Sequence, residues 1–145
     1  MHEIDILLVE DNPDHAELAL RALAFNGLNE RTLWVKDGVE AVEFLFGRGE
    51  YADRRYSKPK VILLDLKLPR MDGLDVLRQI RSHVTTKSIP VVVLTSSEED
   101  RDIIESYWLG ANSYIVKPVS FDNFSEAIKK VGLYWLALNR PPTES

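Results

Sequence analysis

Glu10 and Asp11 directly follow the apolar run Ile6-Leu7-Leu8-Val9, and Asp65 follows Val61-Ile62-Leu63-Leu64. Thr95 follows Val91-Val92-Val93-Leu94, and Lys117 follows Tyr114-Ile115-Val116. If these runs are parallel strands, three carboxylates, a hydroxyl and an ammonium converge on one edge. Acids packed together repel one another unless a cation sits among them. Hard oxygen ligands, with no His or Cys beside them, favour Mg²⁺ over zinc. An aspartate is a nucleophile that can form an acyl phosphate. Mg²⁺ and Lys117 would neutralise the charge of a phosphoryl group in transfer, and the Thr95 hydroxyl would donate to one of its oxygens. The set reads as an aspartate that accepts a phosphoryl group with metal help.

Each residue also has a plainer reading. Asp11 sits in Asp11-Asn12-Pro13-Asp14, a stretch suited to capping a helix, with Asp14 the preferred cap. Asp65 would suit a solvated strand end, Thr95 a β-former and Lys117 a surface lysine, although Pro118 after it points to a special backbone. Singly these readings hold. Jointly, at the ends of four strands, they lose to the functional one.

The elements that must position these residues follow one pattern. Strands are predicted over Ile4–Val9, Thr32–Val35, Val61–Leu64, Val91–Leu94 and Ser113–Val116, each followed by a helical pattern. Such alternation implies right-handed crossovers and a parallel sheet. The first, third and fourth strands are nearly all apolar, as strands covered on both faces are. The second and fifth carry polar residues, as edges do. The expected fold is α/β, a flavodoxin-like (βα)5 doubly wound sheet of order 2-1-3-4-5, with ligands beyond the carboxyl ends of the strands. The first helix is predicted from about Asp14 to Asn26, with Leu18, Ala22 and Phe25 on one face. The second starts near Gly38, with Val39, Val42 and Leu45 or Phe46 inward. The third starts near Gly73, with Leu74, Leu77 and Ile80 at helical spacing. The fourth is predicted over about 98–109, closed by Gly110. The fifth begins after the N-cap Ser120.

The chain has 145 residues, 45% of them apolar and 28% charged. That is the size and composition of a single globular domain, assigned here to residues 1–140 with a tail at 141–145. No apolar run is long enough to cross a bilayer. No signal peptide is evident at the start, so a cytoplasmic location is expected. The absence of cysteine removes disulfides and thiolate chemistry. A formal charge of −5 does not suit bulk binding of nucleic acid.

The segments Leu7-Leu8-Val9-Glu10-Asp11-Asn12, Leu63-Leu64-Asp65-Leu66-Lys67-Leu68-Pro69-Arg70-Met71-Asp72-Gly73, Val93-Leu94-Thr95-Ser96-Ser97 and Tyr114-Ile115-Val116-Lys117-Pro118 resemble the receiver domains of two-component response regulators. The resemblance covers nearly the whole chain. It implies that Asp65 is the phosphoacceptor. It also implies that Asp11 binds Mg²⁺ directly, Glu10 through a water, and Lys67 through its backbone carbonyl. Thr95 and Lys117 would hold the phosphoryl group, with a cis bond before Pro118, and Tyr114 would be an aromatic switch residue coupled to Thr95. The implied donor is a phosphohistidine on a sensor kinase. The implied output is the surface of the fourth helix, fifth strand and fifth helix. The protein would then be a catalyst only of its own phosphorylation and dephosphorylation, and no output domain is expected.

The long connection from Phe46 to Lys60 and the extended end from Lys130 to Pro142 further resemble the stand-alone receivers that partner phytochrome-type histidine kinases. Arg48, Arg54, Arg55, Lys58 and Lys60 make that connection basic, which suits either solvation or kinase docking. At the end of the chain, Phe124, Ile128, Val131, Trp135 and Leu138 fall on one stripe, the first two as core. Trp108, Tyr134, Trp135 and Leu138 are surplus to the core and mark a homodimer interface, the alternative being a tail that folds back. Three rival functions make different demands on these residues. A flavin binder would need a loop that welcomes phosphate, which Glu10-Asp11 repels. A dehalogenase-class hydrolase would need an aspartate where Lys67 stands. A degenerate receiver acting as a binding module is disfavoured by the complete residue set.

Overall fold

The structure, a computed structural model, describes residues 4–52, 58–95, 105–116 and 120–130. Among them lie five strands: β1 (Ile6–Val9), β2 (Thr32–Val35), β3 (Val61–Asp65), β4 (Val91–Thr95) and β5 (Ser113–Val116). They form one parallel sheet in the order β2-β1-β3-β4-β5, as expected. The edges are β2 and β5, the two strands predicted to carry polar residues within their runs, while the polar residues of β3 and β4, Asp65 and Thr95, stand only at their carboxyl ends. Leu7, Val9, Ile62, Leu64, Val91 and Val93 face α2 (Gly38–Phe46) and α3 (Gly73–Ser82) in one core layer. Their neighbours Ile6, Leu8, Val61, Leu63, Val92 and Leu94 face the opposite layer, under α1 (Pro13–Phe25) and α5 (Phe121–Lys130). Alternation along strands covered on both sides makes both sets apolar, so no polar phase interrupts these runs.

Helix α1 departs from expectation in two ways. Asn12, not Asp14, is its cap: the Asn12 Oδ1 accepts from the backbone N–H groups of Asp14 (2.9 Å) and His15 (3.2 Å). Pro13 then takes the first helical position, where its missing N–H costs nothing, and Asp14 falls in the first turn. The buried stripe is Ala16, Ala19, Ala22 and Leu23. Phe25, expected inward, is 69% exposed, because nine positions beyond Ala16 is about half a turn round the helix. The Ser120 cap of α5 is as expected: its Oγ accepts from the Asn123 N–H at 3.1 Å. Phe124 is buried below it. The side chain of Ile128 and residues 131–145 lie outside the described residues.

In α4, helical at 105–108 among the described residues, Glu105 accepts from Arg78 of α3 at 3.1 Å. One turn on, Arg81 forks across two loops. Its guanidinium donates to the carbonyls of Lys87 (3.0 Å), Ile89 (2.7 Å) and Gly110 (2.6 Å), and to Asn112 Oδ1 (3.0 Å). At the amino end of the sheet the buried Asp5 accepts from Arg31 at 2.7 Å, with Lys60 at 3.9 Å.

The long α2–β3 connection turns its described cations onto the domain itself. Arg48 and Lys58 lie 5.3 and 5.5 Å from the Phe46 ring centroid, and Lys58 donates to the Leu45 carbonyl. Tyr51 packs edge-on to Phe44 and donates to Glu40 at 2.9 Å. Arg54 and Arg55 lie outside the described residues.

Candidate functional site

Val9 of β1 pairs in register with Leu64 of β3, so Glu10 and Asp65 stand side by side at the carboxyl edge of the sheet. The carboxylate oxygens of Glu10, Asp11 and Asp65 reach within 4.8 Å of one another. Glu10 is 1% and Asp65 3% exposed, while Asp11 faces solvent. The acids predicted from separate strand ends are therefore one cluster. Its donors are all hard oxygens, which suits a small divalent cation.

Edge strand β2 holds the backbone of Glu10. The Glu10 N–H donates to the Val35 carbonyl at 3.1 Å, and the Glu10 carbonyl accepts from the Trp34 indole N–H at 2.7 Å. The Glu10 carboxylate accepts from the Asn12 N–H at 3.2 Å. On the other side, Asp65 Oδ1 accepts from the Lys67 N–H at 3.1 Å, so the chain folds back on the carboxylate immediately after β3.

The loop that follows is fixed at both ends. Leu66 donates to the Leu94 carbonyl at 3.2 Å, and Gly73 donates to that of Leu66 at 2.9 Å. A Cβ on Gly73 would collide with the backbone of Asp65 and Leu66, and one on Gly38 would collide with Met71. Both glycines follow an aspartate N-cap, Asp37 or Asp72, and open a helix. Arg70 takes the left-handed region (φ 67°), and its guanidinium reaches Asp37 at 3.1 Å. The α2 terminus thus supports the loop that carries Lys67.

Sequence reasoning missed Trp34, Gly38 and Gly73 as supports. The repeated Asp-Gly pair was a usable signal for the glycines. No signal marked Trp34, whose role depends on the pairing of β2 with β1.

The remaining predicted residues divide. Thr95 ends β4 and pairs in register with Val116, which brings the ends of β4 and β5 together. The Thr95 side chain, Lys117 and Pro118 lie outside the described residues. Tyr114 stands on the outer surface with its ring edge-on to Tyr107, centroids 5.9 Å apart. Trp108 is 85% exposed. Tyr134, Trp135 and Leu138 lie outside the described residues.

Comparison with known proteins agrees with this geometry. Residues 6–129 match the response regulator receiver domain family. The probable methanogenesis regulatory protein FilR2 of Methanothrix harundinacea (strain 6Ac) is 43% identical over 137 residues, 94% of this chain and 86% of its own. The bacteriophytochrome response regulator RtBRR is 48% identical, with a TM-score of 0.80 over 100% of this chain and 87% of its own. The phosphorylated cyanobacterial phytochrome response regulator RcpA is 40% identical, with a TM-score of 0.83 over 99% of this chain and 100% of its own. With sheet order, acid cluster and sequence in agreement, the chain belongs to the response regulator receiver domain family.

Proposed function

We propose that this receiver accepts a phosphoryl group on Asp65 from the phosphohistidine of a phytochrome-type sensor histidine kinase. The observation that carries the reading is the acid cluster: two buried carboxylates and one exposed carboxylate within 4.8 Å, at the carboxyl edge of a parallel sheet. In the transfer an Asp65 oxygen bonds to phosphorus, the phosphorus–nitrogen bond breaks, and its electron pair returns to the imidazole of the kinase. Asp11, Asp65, the Lys67 carbonyl and, through water, Glu10 would hold Mg²⁺, which when bound offsets the negative charge gathering at the phosphoryl group. Thr95 and Lys117 bind the phosphoryl oxygens. Loss of the group by hydrolysis resets the protein, so no other enzymatic activity is assigned.

The change is relayed through the α4, β5 and α5 surface, with Thr95 and Tyr114 as the switch pair. The exposure of Trp108 and the Tyr107–Tyr114 pair support a protein-binding role for that face. A homodimer using Trp108, Tyr134, Trp135 and Leu138 fits it. Similarity to RtBRR and RcpA supports the phytochrome-type kinase, while FilR2 carries a different signalling name. No described helix is long and apolar enough to cross a membrane. The protein is assigned to the cytoplasm, with protein rather than nucleic-acid or membrane partners.

The test is intact mass after incubation with acetyl phosphate and Mg²⁺. Wild type should gain one phosphoryl group and Asp65→Asn none. An adduct on both proteins would mean another acceptor. An adduct on neither, with Mg²⁺ bound, would favour a receiver that needs its kinase or a binding module that has lost the chemistry.

A further inference from the structure

We propose that Trp34 is a positioning residue for the divalent-cation site, an inference that rests on the metal reading above. Glu10 is the hinge between β1 and the acid loop, and β2 holds both of its backbone polar groups. Val35 takes its N–H at 3.1 Å, and the Trp34 indole N–H is given to its carbonyl at 2.7 Å. The first bond continues the sheet ladder and would form with any residue at position 35. The second comes from a side chain, and of the apolar-bodied residues that suit this strand only tryptophan carries such a ring N–H donor.

The ring itself is well held. It packs against the core layer under α1, and the Lys36 ammonium lies 5.5 Å from its centroid. Trp34 sits on an edge strand, and its Cα pairs in register with that of Leu8, two residues before Glu10. A side chain from that position therefore reaches past the end of the paired strand and fixes the Glu10 carbonyl. That carbonyl belongs to the peptide joining Glu10 to Asp11. Fixing its plane constrains ψ of Glu10 and φ of Asp11, and so narrows the directions in which both acids leave the backbone. Asn12 adds to the same geometry by donating its N–H to the Glu10 carboxylate. Trp34 thereby acts on the cation through Glu10 and Asp11 without touching it.

The experiment compares the full wild-type chain with Trp34→Phe, which keeps an apolar ring and removes the donor. Mg²⁺ is titrated by calorimetry and by its effect on melting temperature, and the indole ¹H–¹⁵N resonances are followed in the wild type. Trp34→Phe should melt at or below wild type without metal and also bind Mg²⁺ more weakly, by about two- to tenfold if the full worth of one neutral hydrogen bond is felt only in the metal-bound state. The Trp34 indole resonance should shift with the same midpoint as the calorimetric titration. Equal Mg²⁺ dissociation constants, together with an unmoved Trp34 resonance, would overturn the proposal. If Trp34→Phe does not fold, the wild-type resonance alone decides. A wild type that binds no Mg²⁺ sinks the metal reading itself, a result distinct from an intact site indifferent to Trp34.

Discussion

At the amino end of the sheet, Asp5 is 1% exposed and lies between Arg31 at 2.7 Å and Lys60 at 3.9 Å. At the carboxyl end, Glu10, Asp11 and Asp65 crowd within 4.8 Å of one another. One region sets a single acid between two bases; the other gathers three acids. The first arrangement offsets the desolvation of a carboxylate with charges from the same chain and ties three segments together. The second concentrates like charge, which favours any cation that arrives. Burial of an acid therefore does not by itself mark a functional site in this molecule. The sign of what surrounds it does.

This contrast can be broken by experiment, and the largest expected effect is the response to metal. Mg²⁺ at about 100 times its dissociation constant should stabilise the wild type by about 2.7 kcal/mol. Asp11→Ala should lose that increment and Asp5→Asn should keep it, as melting curves with and without Mg²⁺ will show. Loss of the increment in Asp5→Asn would mean that the two ends are coupled.

Without metal, the two ends should respond with opposite signs. Asp5→Asn should cost about 1–3 kcal/mol, below the full value for a buried pair because Arg31 and Lys60 both reach solvent. Asp65→Asn should instead gain about 1 kcal/mol, since it removes one of three mutually repelling charges. Urea unfolding at pH 7 checks both, and a destabilised Asp65→Asn would remove repulsion as the dominant effect.

The smallest effect serves as a reference outside both clusters. Burial, with the hydrogen bond to Glu40 next, pushes the Tyr51 phenol from 10.0 up to about 12. A folded pKa above the unfolded one gives stability that is fully present below about pH 10 and is lost as pH rises through about 12. Tyr51→Phe should change stability by about 1 kcal/mol or less at pH 7 and flatten the fall between pH 10 and pH 12. Unfolding curves at pH 7 and pH 11 should converge more closely in the variant than in the wild type.

The sequence was most legible where one physical rule acted alone. Apolar runs ending in Glu10, Asp65 and Thr95 marked strands buried on both faces, and parallel pairing then had to bring their ends together. Capping of α1 was harder, because Asn12 and Asp14 both suit an N-cap and only the position of Pro13 separates them. The inward assignment of Phe25 failed because three alanines, weak signals individually, define the buried stripe. Asp5 lies inside the predicted strand Ile4–Val9, whereas β1 begins at Ile6 and Asp5 begins the ion cluster. Trp34, Gly38 and Gly73 act on segments distant in sequence, so their roles appear only once the strands and helices are docked.

The fork made by Arg81 has a consequence for solution conditions. Among the described residues its partners are all neutral: the carbonyls of Lys87, Ile89 and Gly110 and the side-chain oxygen of Asn112. Burial lowers its pKa, yet a guanidinium starts so high that it keeps its charge at any ordinary pH. The nearby Arg78–Glu105 pair is exposed and joins two full charges, so added salt screens it. A clamp of charge on dipoles is shielded far less by added ions. Raising ionic strength should therefore loosen the flank of α4 while leaving the entry to β5 fastened, so that high salt works on one side of this surface only.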